Sequence, residues 1–72
     1  MSESIVMSAG SLRVGDIFDN ASWGQPTEYA EVIERTPYNG GAVFTMTVRT
    51  NDGDFRASYS CFDLVDLYYR HA

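Results

Sequence analysis

The sequence predicts an all-β fold, a single small five-stranded barrel, and three observations carry that expectation. Two runs of alternating apolar residues, Ala42 to Thr50 and Phe55 to Cys61, flank the turn Asn51-Asp52-Gly53-Asp54 and read as a hairpin. Glycine and proline punctuate the rest of the chain into segments of strand length, with no long 3.6-residue periodicity. The 72 residues leave room for one domain, and a chain this short buries roughly 60% of its unfolded surface. Rolling its sheet closed would remove edges that an open one exposes.

Taken in order, residues 1–11 are Ser-rich with one apolar patch, Ile5-Val6-Met7, and read as a flexible N-terminal arm or a short added strand ahead of a domain spanning 12–72. Leu12 to Phe18 places apolar residues around Gly15-Asp16, with a first strand from Asp16 to Asp19. Asn20 to Thr27 contains Gly24 and Pro26 and forms a long loop carrying Trp23. Glu28 to Thr36 is the second strand; its apolar residues fall on both parities, which calls for a bulge or burial on two sides. Thr36 to Gly41 turns the chain into the hairpin. Phe62 to Val65 has the spacing of one helical turn, capped by Ser60, before a last strand from Val65 to Tyr69. A continuous helix over 62–70, on the spacing Phe62, Val65, Tyr69, is the rival reading.

Asp52-Gly53 as the two central residues of a primed turn sets the hairpin register. Thr50 then faces Phe55, Val48 faces Ala57, Met46 faces Tyr59 and Phe44 faces Cys61, so one side of the ribbon is core. A three-residue loop would slip the pairing by one and turn Arg56 inward beside Val48, at a cost of roughly several kcal/mol. In the accepted register Arg49 and Arg56 stand opposite each other on the outer side, a like-charge pair costing roughly 0.2–1 kcal/mol unless an acidic partner, a bound anion or a carboxylate such as Glu28 or Glu31 offsets it. Ile33 and Val43 fall side by side on the outer surface, an apolar pair suited to a homodimer contact.

Ten acidic residues against five arginines and no lysine give a formal charge of −5. Such a chain repels a phosphate backbone, which weighs against direct nucleic-acid binding and favours a partner with a basic surface. Absence of lysine accompanies the coding bias of GC-rich genomes and points to a bacterium or phage. The single Cys61 makes no internal disulfide. No stretch has the length of a signal peptide core or a membrane span, so the expected location is the cytoplasm, with no membrane partner.

Catalytic chemistry finds no support. Cys61 would need His71, the only histidine and the penultimate residue, held within hydrogen-bond reach. Asp52 and Asp54 are too few oxygen ligands for a calcium loop, Asp63 and Asp66 lack surrounding chain to form an acid–base pocket, and Gly40-Gly41 introduces no helix that would cradle phosphate. The sequence therefore reads as non-catalytic, with no metal and no cofactor.

Over roughly residues 12–70 the chain resembles the SH3-like small barrels, Tudor-like members included. The resemblance rests on Val14-Gly15-Asp16 before the first strand, Tyr29-Ala30-Glu31-Val32 in the second, Val48 with Asp52 and Gly53 at the hairpin, and Leu64 to Leu67 at the end. It implies recognition through loop aromatics, here Trp23, Tyr38, Phe62 and Tyr68, to which the exposed guanidiniums of Arg49 and Arg56 add anchoring charge. In the opposing account Trp23 folds back to plug one end of the barrel. The functional expectation is a small acidic module that docks on a partner protein, an accessory or regulatory factor whose carboxylates can imitate nucleic-acid charge. The alternative is an assembly component acting through homo-oligomerisation.

Overall fold

A computed structural model describes residues 4–21 and 24–70. Among these residues six strands, not five, form one antiparallel sheet: β1 (Ile5–Ser8), β2 (Ile17–Asp19), β3 (Tyr29–Tyr38), β4 (Val43–Thr50), β5 (Gly53–Ser60) and β6 (Leu64–Tyr69). Their spatial order is β1-β6-β2-β3-β4-β5, and the two end strands do not pair, so the sheet is open and the expected closed barrel is not formed.

The extra strand comes from the segment read as a flexible arm or a short added strand, and it is the strand that forms. Ile5 to Ser8 pair with Leu67 to Leu64, Met7 packs on the core, and Ala9 and Leu12 are fully buried, so apolar burial recruits the arm into the sheet. The gap between the two edges is crossed by a 3-10 turn, Ala9–Ser11, instead of a ladder. Ala9 N–H donates to the Asp63 carbonyl at 2.7 Å and Gly10 N–H to that of Cys61 at 3.2 Å. A Cβ on Gly10 would lie 3.1 Å from Cys61 Cβ and 3.2 Å from Phe44 Cε2, so any larger residue would have to push these neighbours aside.

The inner face holds Phe18, Ala30, Val32, Phe44, Met46, Val48, Val65 and Leu67, all buried. β3 carries a bulge, one of the two explanations its mixed parity allowed: the ladder shifts between Val32 and Glu34, leaving Ile33 as the extra residue. Beyond it Arg35 stands opposite Met46 on the inner side, its guanidinium 4.5 Å over the Phe44 ring and its Nη2 donating to the Gly10 carbonyl at 3.1 Å. Tyr59 crosses the interior from β5, meeting Phe18 edge-on at 5.9 Å and donating its hydroxyl to Asn20 Oδ1.

The hairpin forms where expected but one residue earlier. Its loop is Asn51-Asp52, and the register is Thr50↔Gly53, Val48↔Phe55, Met46↔Ala57 and Phe44↔Tyr59. Because the slip amounts to two positions on the opposing strand, the core side is unchanged and Arg56 stays exposed. Neither loop residue has positive φ, whereas Gly53 sits at 115°, the pattern of an ordinary turn followed by a glycine bulge and not of a primed turn. Thr50 Oγ1 braces it, accepting from Asp52 N–H and donating to the Gly53 carbonyl, each at 3.1 Å. The like-charge opposition disappears: Arg49 faces Asp54 and Arg56 faces Thr47.

At the C-terminus the rival helix is absent, because Val65 and Leu67 alternate inward from a strand. The turn before it closes through Asp63 N–H donating to the Ser60 carbonyl at 3.0 Å. Asp63 Oδ2 accepts from Ser60 N–H at 2.9 Å, so Ser60 and Asp63 cap each other.

Candidate partner-binding surface

Phe18 and Ala30 point inward, so their neighbours Ile17, Asp19, Tyr29 and Glu31 face out. Two rows follow from the register. Asp19 stands beside Tyr29, and Ile17 stands between Tyr69 and Glu31; Glu31 continues to Arg49 and Arg49 to Asp54. The β2–β6 ladder shifts between Ile17 and Phe18, leaving Tyr68 as an extra residue on β6. Its ring meets Tyr29 edge-to-face at 4.9 Å and 74°, while Tyr29 remains 53% exposed.

One shallow groove opens beside Asp19 and a second beside Tyr29. One is lined by Asp19, Ala21, Leu64 and Asp66, the other by Ile17, Tyr29, Glu31, Arg49 and the hairpin residues Thr50 and Asn51. Asp19 Oδ1 accepts from the N–H groups of Ala21 and Glu28, at 2.9 and 3.0 Å, which fastens the base of the β2–β3 loop and holds the carboxylate still. Asn20 Nδ2 donates to Glu28 Oε1 at 3.1 Å. Among the described residues the one cation lining these grooves, Arg49, donates its Nε to Asp54 Oδ1 at 3.1 Å, and that bond and charge raise its pKa above the ordinary value. The negative field reaches the interior: burial first, then Asp19, Asp63 and Glu28, raises the Tyr59 phenol above its usual 10.0.

No family model matches the chain, and neither does any curated protein or solved structure.

Of the described residues put forward from the sequence as partner-binding or oligomer contacts, Tyr68 and Arg49 belong to this surface. Tyr38 stands opposite Val43 at the far end of β3. Phe62 projects from the β5–β6 turn, 83% exposed. Ile33 lies in the bulge and is separated along β3 from Val43, so the two are not side by side. Arg56 is on β5 opposite Thr47. Trp23 and His71 lie outside the described residues. Among the described aromatics of the expected loop cluster, Tyr38 and Phe62 lie toward one end of the sheet, where Tyr38, Val43 and Ser60 are in register, and Tyr68 lies apart beside Tyr29. Tyr29, Tyr69 and Ile17 were missed, although Tyr29 and Glu31 alternate with the buried Ala30 and Val32 and that parity alone assigns them to the outer face.

Among the described residues no group of three or more His, Cys, Asp or Glu could hold a metal ion, and no helix is long and apolar enough to cross a membrane. Cys61 is a free, half-buried thiol.

Proposed function

We propose that this chain is a non-catalytic protein-binding module, an acidic accessory or regulatory factor of a bacterium or phage that docks on a basic surface of a partner. The observation that carries the reading is the Tyr29–Tyr68 pair sharing one outer face with Asp19, Glu31 and Asp66. Rigid aromatics offer contact area at little entropic cost, and surrounding carboxylates steer and select a cationic partner. Arg70 is engaged by Asp16, Arg49 by Asp54 and Arg35 by Phe44, so the net charge of −5 is poorly offset at this face. Imitation of nucleic-acid phosphates in a partner's basic groove is the sharper form of the same reading.

The order β6-β2-β3-β4-β5, with a single tight turn before the last strand, supports kinship with SH3-like folds, β1 being an addition beside the final strand. The test is affinity capture from the native cell at rising salt, using the wild-type chain, Tyr29→Ala and Trp23→Ala. Salt-sensitive capture lost in Tyr29→Ala supports the outer face. Loss in Trp23→Ala alone would return recognition to the loop, and capture indifferent to both variants would end the reading.

A second reading, assembly of like chains, is favoured by β1. This edge strand carries no charge, and Val6 on it is 61% exposed, opposite Asp66 of β6, whereas the β5 edge carries Asp54 and Arg56, the residues that discourage edge pairing. Light scattering decides: a stable oligomer dissociated by Val6→Asp supports assembly, and a dilute monomer removes it.

A further inference from the structure

We infer that the outer face of β6, β2 and β3 receives an arginine of an extended basic segment on the partner, the guanidinium lying on the Tyr29–Tyr68 pair and reaching the carboxylates of Asp19 and Asp66. This rests on the docking reading above and names its chemistry. It also moves recognition from the loop end of the fold, where the sequence resemblance set it, to the flat of the sheet.

Charge complementarity selects the occupant. An anionic ligand would meet Asp19, Glu31 and Asp66 with no unengaged guanidinium lining the grooves to receive it. An apolar segment would strip water from those carboxylates and return nothing, a cost that outweighs the aromatic contact. A planar guanidinium satisfies both features at once, because it stacks on an aromatic ring and forks to carboxylate oxygens, which a compact ammonium does less well. The chain already uses each half of this recognition internally. Arg35 lies 4.5 Å over Phe44, and Arg70 contacts both oxygens of Asp16 through its Nε, at 3.1 and 3.3 Å. The receiving groups are also held in advance: Asp19 by two backbone N–H bonds and Tyr29 by its partner ring, so little ordering remains for binding to impose.

The experiment titrates isotope-labelled protein with the peptide Gly-Arg-Gly-Arg-Gly and its Lys and Glu counterparts at fixed ionic strength, following backbone amide shifts. The expected result is saturable perturbation confined to β2, β3 and β6 with the arginine peptide, weaker binding of the lysine peptide and none of the glutamate peptide. Tyr29→Ala weakens the arginine peptide roughly three- to fivefold, the size of an exposed cation–π contact. Asp66→Asn weakens it as well, and Glu34→Gln, opposite Thr47 and away from both grooves, does not. Equal effects of Asp66→Asn and Glu34→Gln would reduce the interaction to general electrostatics and overturn the inference, as would shifts centred on the 60–63 turn. Indifference to every peptide combined with Tyr29-dependent capture from the cell overturns the arginine and leaves docking intact; capture indifferent to all variants overturns docking itself.

Discussion

Arg70, at the end of β6, closes on Asp16, ahead of β2, with Nη2 2.7 Å from Oδ2. The carboxylate is 2% exposed and also accepts from Arg13 N–H at 2.8 Å, while Asp16 and Gly15 exchange backbone bonds with Val32. Arg70 Nη2 further donates to the Ser11 carbonyl at 2.8 Å. One ion pair thus joins the end of the sheet to the loop that enters it.

Acid sensitivity follows. Burial alone would raise the Asp16 pKa, but the Arg70 hydrogen bond, the Arg13 N–H and both charges outweigh it and hold the carboxyl below its ordinary 3.8. A depressed folded-state value contributes stability above the unfolded pKa that is lost as pH falls through the folded one. Urea midpoints measured from neutral pH downward will therefore drop below about pH 4, and Asp16→Asn will flatten that part of the profile. Asp16→Ala at neutral pH will cost about 1–3 kcal/mol, the price of unsatisfied buried donors. A wild-type acid profile unaltered by Asp16→Asn would refute the assignment.

At the hairpin, Gly53→Ala will destabilise by about 1–2 kcal/mol, because φ is 115° while a Cβ there meets nothing within 4 Å, so the cost is purely conformational. Asp52→Ala will stay within about 0.5 kcal/mol, since Asp52 does not occupy positive φ. A primed turn centred on Asp52-Gly53 would make both substitutions costly, and chemical denaturation separates the two outcomes.

Gly10→Ala tests the crossing between the sheet edges. Its φ is not positive, so the penalty is steric, from Cys61 and Phe44 at 3.1 and 3.2 Å, and about 1–3 kcal/mol is expected. Hydrogen exchange will show faster loss at the Ala9 and Gly10 amides than at β3 and β4. Uniform acceleration would mean that the turn does not act as a separate clasp.

Tyr59 will titrate late. Burial and the neighbouring carboxylates raise its phenol above 10.0, so an alkaline absorbance titration will show a tyrosine step later than that of a free phenol. A raised folded-state value for an acid that is neutral in the fold means that stability falls as pH climbs past the unfolded value, about 10. Tyr59→Phe will remove the late step and cost about 0.5–1.5 kcal/mol through the lost bond to Asn20. A late step persisting in Tyr59→Phe would assign it elsewhere.

Which residues share a face was legible wherever one strand could be read alone. Phe44, Met46 and Val48 alternate inward as their spacing demands, and the mixed parity of Glu28 to Thr36 signalled a bulge or two-sided burial, of which the bulge forms, at Ile33. Register was legible in faces but not in partners, since a slip of two leaves every side chain on its own side. The opposed arginines of the primed-turn register were nevertheless a signal against it, because an acceptable alternative set Arg49 against Asp54. The candidate surface was harder to foresee: Tyr29, Tyr68 and Asp19 come from three strands, and their meeting depends on which strands lie adjacent.

The amino-acid order by itself determined an all-strand chain, the inward side of its hairpin and an acidic exterior, because side-chain alternation and charge are properties of neighbours along the backbone. Tertiary structure alone decided that the first residues add a sixth strand, that the sheet stays open, and that Asp16 meets Arg70. Those outcomes depend on accumulated strand twist and on apolar burial between distant segments, and no local pattern encodes either.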